Sequence, residues 1–100
     1  MITFGSIVSK SVGPFDKDDW TFIGRRGQVV TIHGNAAHED DTDPRIQLIG
    51  VNGQILAEDD DGGGGLNALI ERFELPADGE YTIRISTWSG GDYTLMLELE

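Results

Sequence analysis

The sequence predicts an all-β protein built as a two-sheet sandwich or a barrel, and three observations lead there. Apolar residues alternate with period two rather than 3.6. Turn signals (GRRG, VNGQ, PADGE and SGGD) separate the alternating runs at short intervals. No stretch carries a helical apolar stripe with caps at both ends. Short strands at this spacing close on themselves or pack as two sheets.

Taken in order, about eight strands are expected. The first covers 5–12. In the second, 19–24, Trp20 and Phe22 share a face, and in the third, 28–34, Val30 and Ile32 do the same. Ile46 and Leu48 pair in 45–50, and 54–58 follows an Asn-Gly turn. Segment 68–75 breaks the alternation: Ile70 and Phe73 stand three apart, which predicts a bulge near Arg72. Strand 80–87 sets Tyr81, Ile83 and Ile85 on one face with Thr82 and Arg84 opposite, and 92–99 aligns Tyr93, Leu95 and Leu97. β-branched and aromatic residues dominate these runs. The expected core is Trp20, Phe22, Val30, Ile32, Leu48, Tyr81, Ile83, Tyr93 and Leu95.

The length of 100 residues suits a single domain over 1–100. Eighteen acids against seven bases leave a net charge of -11, which opposes nucleic acid and anionic membranes, since both require clustered Lys and Arg. No apolar run approaches the roughly 20 residues of a membrane helix. With no cysteine there is neither a disulfide nor thiol chemistry. The opening MITFGSIVSK has no basic segment followed by an apolar one, so no signal peptide is visible, and a mature segment or excised domain is the favoured reading.

If every connection reverses the chain, loops 13–18, 35–44, 59–67 and 88–91 share one end. They hold Asp16, Asp18, Glu39, Asp40, Asp41, Asp43, Asp59, Asp60 and Asp61. The opposite end has the tight turns, with Arg25 and Arg26. One acidic end is expected, although a solvated loop is the default for any single acid.

The stretch DDDGGGG, 59–65, is an acid-rich glycine loop, a type that can hold calcium or phosphate. As an EF-hand loop starting at Asp59 it fails, because Gly63 falls at position five and Ile70 at position twelve. As a phosphate loop it lacks Gly-Lys-Ser/Thr and a following helix, and its carboxylates repel phosphate. A connecting loop is the expectation and calcium at Asp59, Asp60 and Asp61 the alternative, because calcium needs about six to eight oxygens. His33, in a strand, and His38, in an acidic loop, belong to no zinc motif. No nucleophile elbow supports a Ser-His-Asp triad, and no catalytic residue is assigned. Trp88, beside SGG, is the one aromatic that reads as a candidate for a ligand or partner surface, with core packing the default role even there.

Four stretches in order, DKDDWTFIGRRGQVVTIHG, DPRIQLIGVNGQILAEDDD, LPADGEYTIRIS and GGDYTLMLEL, resemble the bacterial pre-peptidase C-terminal domain family. The shared pattern is an Asp before an aromatic pair, a Gly before an apolar strand, Asn-Gly, Asp-Asp, and two Gly-x-Tyr strands. The resemblance implies a jelly-roll-like antiparallel sandwich and a non-catalytic module of secreted bacterial proteins, hence an extracellular location. The collagen-binding domains of bacterial collagenases look like relatives. Their calcium positions fall here on Ser11, Asp16 and Asp19, while the acids that precede the first strand in those domains have no counterpart in MITFGSI, so weak calcium binding is the expectation. Their collagen-binding strand corresponds to RISTWSG, where Arg84 and Ser86 replace apolar or aromatic residues, so collagen binding is not expected.

Two function classes follow. The first is a non-catalytic accessory, binding or stabilising module whose partners are neighbouring domains of a larger chain. The second is a structural subunit that assembles with copies of itself through strand edges and oppositely charged ends.

Overall fold

The computed structural model describes residues 2–13, 17–36, 44–59, 68–87 and 91–100. Eight strands run in chain order: β1 (Ile7–Val12), β2 (Lys17–Gly24), β3 (Val29–Ala36), β4 (Pro44–Ile49), β5 (Ile55–Asp59), β6 (Ala68–Glu74), β7 (Gly79–Thr87) and β8 (Gly91–Leu99). Among the described residues there is no helix. The strands form two four-stranded antiparallel sheets, ordered β1-β8-β3-β6 and β2-β7-β4-β5.

This order is a jelly roll, and it follows from one long hairpin. β1 pairs with β8, β2 with β7, β3 with β6 and β4 with β5. Rolling that four-rung ribbon brings β3 against β8 and β4 against β7, which closes the two sheets. The inward residues Phe22, Val30, Ile32, Ile46, Leu48, Tyr81, Ile83, Ile85, Tyr93, Leu95 and Leu97 are fully enclosed. Eight of the nine residues expected in the core are therefore buried. Trp20 is the exception, partly buried at the margin, because its indole reaches toward the sandwich edge to make a polar contact described below.

The first strand starts at Ile7 rather than residue 5. Gly5 takes a φ of 82°, and the Ser6 N–H donates to the Thr3 carbonyl, so a turn precedes the strand. Residues 2–6 then bridge the two sheets: Ile2 N–H donates to the Thr21 carbonyl on β2, and Gly5 N–H to the Leu97 carbonyl on β8. Phe4 meets Phe22 edge-on, and Phe22 stacks on Tyr81.

The bulge in β6 is present. Ile32 faces Ile70 and Val30 faces Phe73, so Glu71 and Arg72 together oppose Thr31, with Arg72 at φ 51°. The ladder loses an acceptor there, and the Thr31 hydroxyl replaces it by accepting the Arg72 N–H at 3.1 Å. That hydroxyl donates in turn to Glu100.

Candidate binding surface at the acidic end

The registers decide which strand ends lie together. Val12 faces Gly91, Ala36 faces Tyr93 and Gly34 faces Ala68 in one sheet; Lys17 faces Ser86, Pro44 faces Thr87 and Ile46 faces Asp59 in the other. The strand ends flanking 13–16, 37–43, 60–67 and 88–90 therefore gather at one end. Turns 25–28, 50–54 and 75–78 occupy the other, where the Arg25 N–H donates to the Gln28 side chain and the Arg26 N–H to Asp78. The Tyr81 hydroxyl also ties down that end, donating to the Ala77 carbonyl at 2.5 Å.

At the acidic end two carboxylates join the sheets. Asp18 lies on the inward side of β2, like Trp20, and accepts the Tyr93 hydroxyl at 2.7 Å. The Trp20 Nε1–H donates to the same hydroxyl at 2.9 Å. Lys10 lies 3.9 Å from Asp18 and over the Trp20 ring. Burial, and then the bond to Asp18, push the Tyr93 hydroxyl above the ordinary phenol range. On the other flank Asp59 accepts the Leu69 N–H at 2.8 Å, linking β5 to β6. Both acids therefore have structural work at the sheet junctions.

The residues expected around calcium are not brought together where they are described. Ser11 lies on the outer face of β1 and donates to Asp92. Asp19 lies on the outer face of β2, in the opposite sheet, and Arg84 grips it with two hydrogen bonds at 2.8 and 3.1 Å. Those bonds, partly offset by desolvation, hold the Asp19 carboxyl below its ordinary value. Alternation points the two side chains away from each other, so Ser11 and Asp19 do not fit one shared ion. Asp16, Asp60, Asp61 and Trp88 lie outside the described residues, as do Glu39, Asp40, Asp41, Asp43 and His38. Among the described residues no three acids or histidines are placed to hold a metal.

His33 stands on the outer face of β3, 3.2 Å from Glu98. An open recess of about 300 Å³ beside the Asp18 contact is lined by Ser9, Lys10, Ser11, Asp92 and Tyr93. It is open, the form of a contact surface rather than an enclosed pocket.

Comparison with known proteins settles the family. Residues 16–87 match the bacterial pre-peptidase C-terminal domain, well over half of the chain. The chain belongs to that family. A similar solved structure is the pre-peptidase C-terminal domain of a collagenase from Bacillus anthracis, at 16% identity and TM-score 0.78, covering 97% of this chain and 91% of that one. The periplasmic inhibitor of g-type lysozyme from Aeromonas hydrophila is similar at 16% identity and TM-score 0.72, covering 95% and 85%. Its counterpart from Salmonella Typhimurium is similar at 20% identity and TM-score 0.63, covering 95% and 90%. At these identities the likeness is one of fold. A search of curated proteins by sequence finds no significant match.

The contact the sequence reading missed is Asp18–Tyr93–Trp20. Its signal was present: alternation places Asp18 on the face of Trp20 and Phe22, and a buried tyrosine needs a partner for its hydroxyl.

Proposed function

We propose that this chain is a non-catalytic accessory module of a bacterial protein exported from the cytoplasm, and that it acts by binding other proteins. The observation that carries this reading is the family match over residues 16–87. It is supported by two neighbours that share the fold and are periplasmic inhibitors of g-type lysozyme. The surface agrees: an open recess at the acidic end suits protein contact better than small-molecule turnover. Weak calcium binding stays a proposal that concerns the acidic loops, because Ser11 and Asp19 do not share a site.

The self-assembling subunit is the weaker reading. Strand edges that pair freely are long, flat and uncharged. Here β2 carries Lys17, Asp18 and Asp19, and β5 ends in Glu58 and Asp59.

The test is made on the native gene product. Fractionation is expected to recover the tagged chain outside the cytoplasmic membrane. Where the gene product carries a catalytic domain beside this chain, deleting residues 16–87 is expected to leave turnover of a small soluble substrate unchanged while weakening engagement of a macromolecular target. Retention in the cytoplasm, or loss of turnover on deletion, would overturn the proposal.

A further inference from the structure

The outer faces of the two sheets differ in a way that neither the family match nor the acidic end explains. On the β2-β7-β4-β5 sheet the outward charges balance: Lys17, Arg45 and Arg84 against Asp19, Glu58 and Glu80. Four of the six are paired, Arg84 with Asp19 and Arg45 with Glu58 at 2.9 Å.

The outer face of the β1-β8-β3-β6 sheet is organised otherwise. The registers Ile7–Met96, Met96–His33 and His33–Leu69 place these four residues in one row across all four strands. An antiparallel sheet with one solvated face ordinarily alternates apolar inward and polar outward. Ile7, Met96 and Leu69 break that rule on the outward side, and His33 stands among them beside Glu98. Ile7 is 63% exposed, and Met96, His33 and Leu69 are partly exposed. A polar row, Ser9–Thr94–Asn35, flanks it on one side. Strand charges around it are mostly acidic: Glu71, Glu74, Asp92 and Glu98, against the bases Lys10 and Arg72 among the described residues.

We propose that this face is a docking surface for a cationic protein partner, with the row Ile7–Met96–His33–Leu69 as its apolar centre. The proposal rests on the reading of the chain as a protein-binding module and names its surface. An apolar centre with a charged rim is the arrangement of protein interfaces, in which the centre supplies affinity and the rim supplies steering and choice of partner. The charge sign selects the occupant. A second copy stacked face to face would oppose acid to acid, which disfavours it, whereas a partner rimmed with Lys and Arg meets Glu71, Asp92 and Glu98 favourably.

The experiment is a titration of the ¹⁵N-labelled chain, followed by amide shifts, with a synthetic peptide of alternating Leu and Lys. A Ser–Lys peptide of equal charge and a Leu–Glu peptide of opposite charge are run alongside. The Leu–Lys peptide is expected to shift amides of β1, β8, β3 and β6, and the Leu–Glu peptide to shift none. The Ile7→Ser/Leu69→Ser variant is expected to bind the Leu–Lys peptide roughly tenfold more weakly, and Ile55→Ser, on the other sheet, to bind it normally. These substitutions are on the surface, and unchanged melting curves will show that the variants fold. No binding, or equal binding of the Ser–Lys and Leu–Lys peptides, would overturn the proposal. Shifts confined to the β2-β7-β4-β5 face would overturn the surface and leave the module reading standing, since that reading fails only by fractionation and deletion.

Discussion

Replacing Tyr93 by Phe removes one oxygen atom and nothing else from a side chain that is fully enclosed. That oxygen holds the only side-chain hydrogen bonds found between the β1-β8-β3-β6 and β2-β7-β4-β5 sheets near the β1 and β2 edges, among the described residues. Donation to Asp18 at 2.7 Å is a bond to a charged acceptor, worth about 1.5–3 kcal/mol net, and acceptance from Trp20 at 2.9 Å adds about 1 kcal/mol. Part of this is recoverable. The Asp18 side chain is 20% exposed and keeps Lys10 at 3.9 Å, so it regains some water when the hydroxyl is lost. The expected cost is therefore about 2–3 kcal/mol, or roughly 10–20 °C in melting temperature for a domain of this size. Urea denaturation is the assay, with the midpoint falling and the slope unchanged. Combining Tyr93→Phe with Asp18→Asn should cost less than the sum of the two, since both variants break the same bond. A loss below about 0.5 kcal/mol for Tyr93→Phe, or strict additivity with Asp18→Asn, would refute the assignment of this contact as a tie between the sheets.

Four further outcomes are expected. Gly34→Ala would set a Cβ 2.6 Å from the Ile46 Cγ2 atom in the closed core, so denaturation should show a loss of about 1–3 kcal/mol from overpacking. Stability should fall at both ends of the pH scale. The raised Tyr93 hydroxyl favours the fold below its ordinary value of 10.0 and loses that contribution as pH rises further, whereas the lowered Asp19 carboxyl contributes above 3.8 and is lost as pH falls, which Asp19→Asn should flatten in acid melts. Any rise in melting temperature specific to calcium, over sodium chloride at matched ionic strength, should survive Asp19→Ala because Arg84 already occupies that carboxylate; its disappearance would return Asp19 to the metal. Light scattering at rising concentration should report a monomer, and steady growth in mass would favour the self-assembling subunit instead.

Strand positions were legible because period-two alternation is a local signal, and each inward face reads directly from the residue order. The Arg72 bulge was legible for the same reason: Ile70 and Phe73 can share a face only if one residue is extra. Side-chain partners across sheets were not. Asp19 looked like a ligand in DKDDW, but its cross-strand neighbour is Arg84, 65 residues away, and only the β2–β7 register sets that pairing. Asp59 likewise read as the head of an acidic loop, whereas it accepts the Leu69 N–H across the sheet junction. The row Ile7–Met96–His33–Leu69 was hidden for a related reason. Ile7, Met96 and Leu69 are each an apolar exception to alternation in its own strand, and only three registers taken together, through His33, make them neighbours.

Charge in this molecule is uneven in two directions, and the two have different consequences for binding. An end-to-end gradient is what the sequence implies, because the acid-rich segments 37–43 and 60–67 join strand ends opposite the turn that holds Arg25 and Arg26. It can steer a cation from a distance, but exposed charges beyond about 8–10 Å are screened at physiological salt, so it contributes rate more than affinity. The sheet-to-sheet difference acts at contact. One outer face balances its charges, three of each sign. The other surrounds an apolar row with acids that outnumber their bases. Desolvating apolar surface supplies association free energy that salt screens little, while the acidic rim decides what is admitted. Salt should therefore slow association with a cationic partner more than it loosens the complex, and a partner held by the acidic end alone would show the reverse weighting, with affinity falling steeply as salt rises.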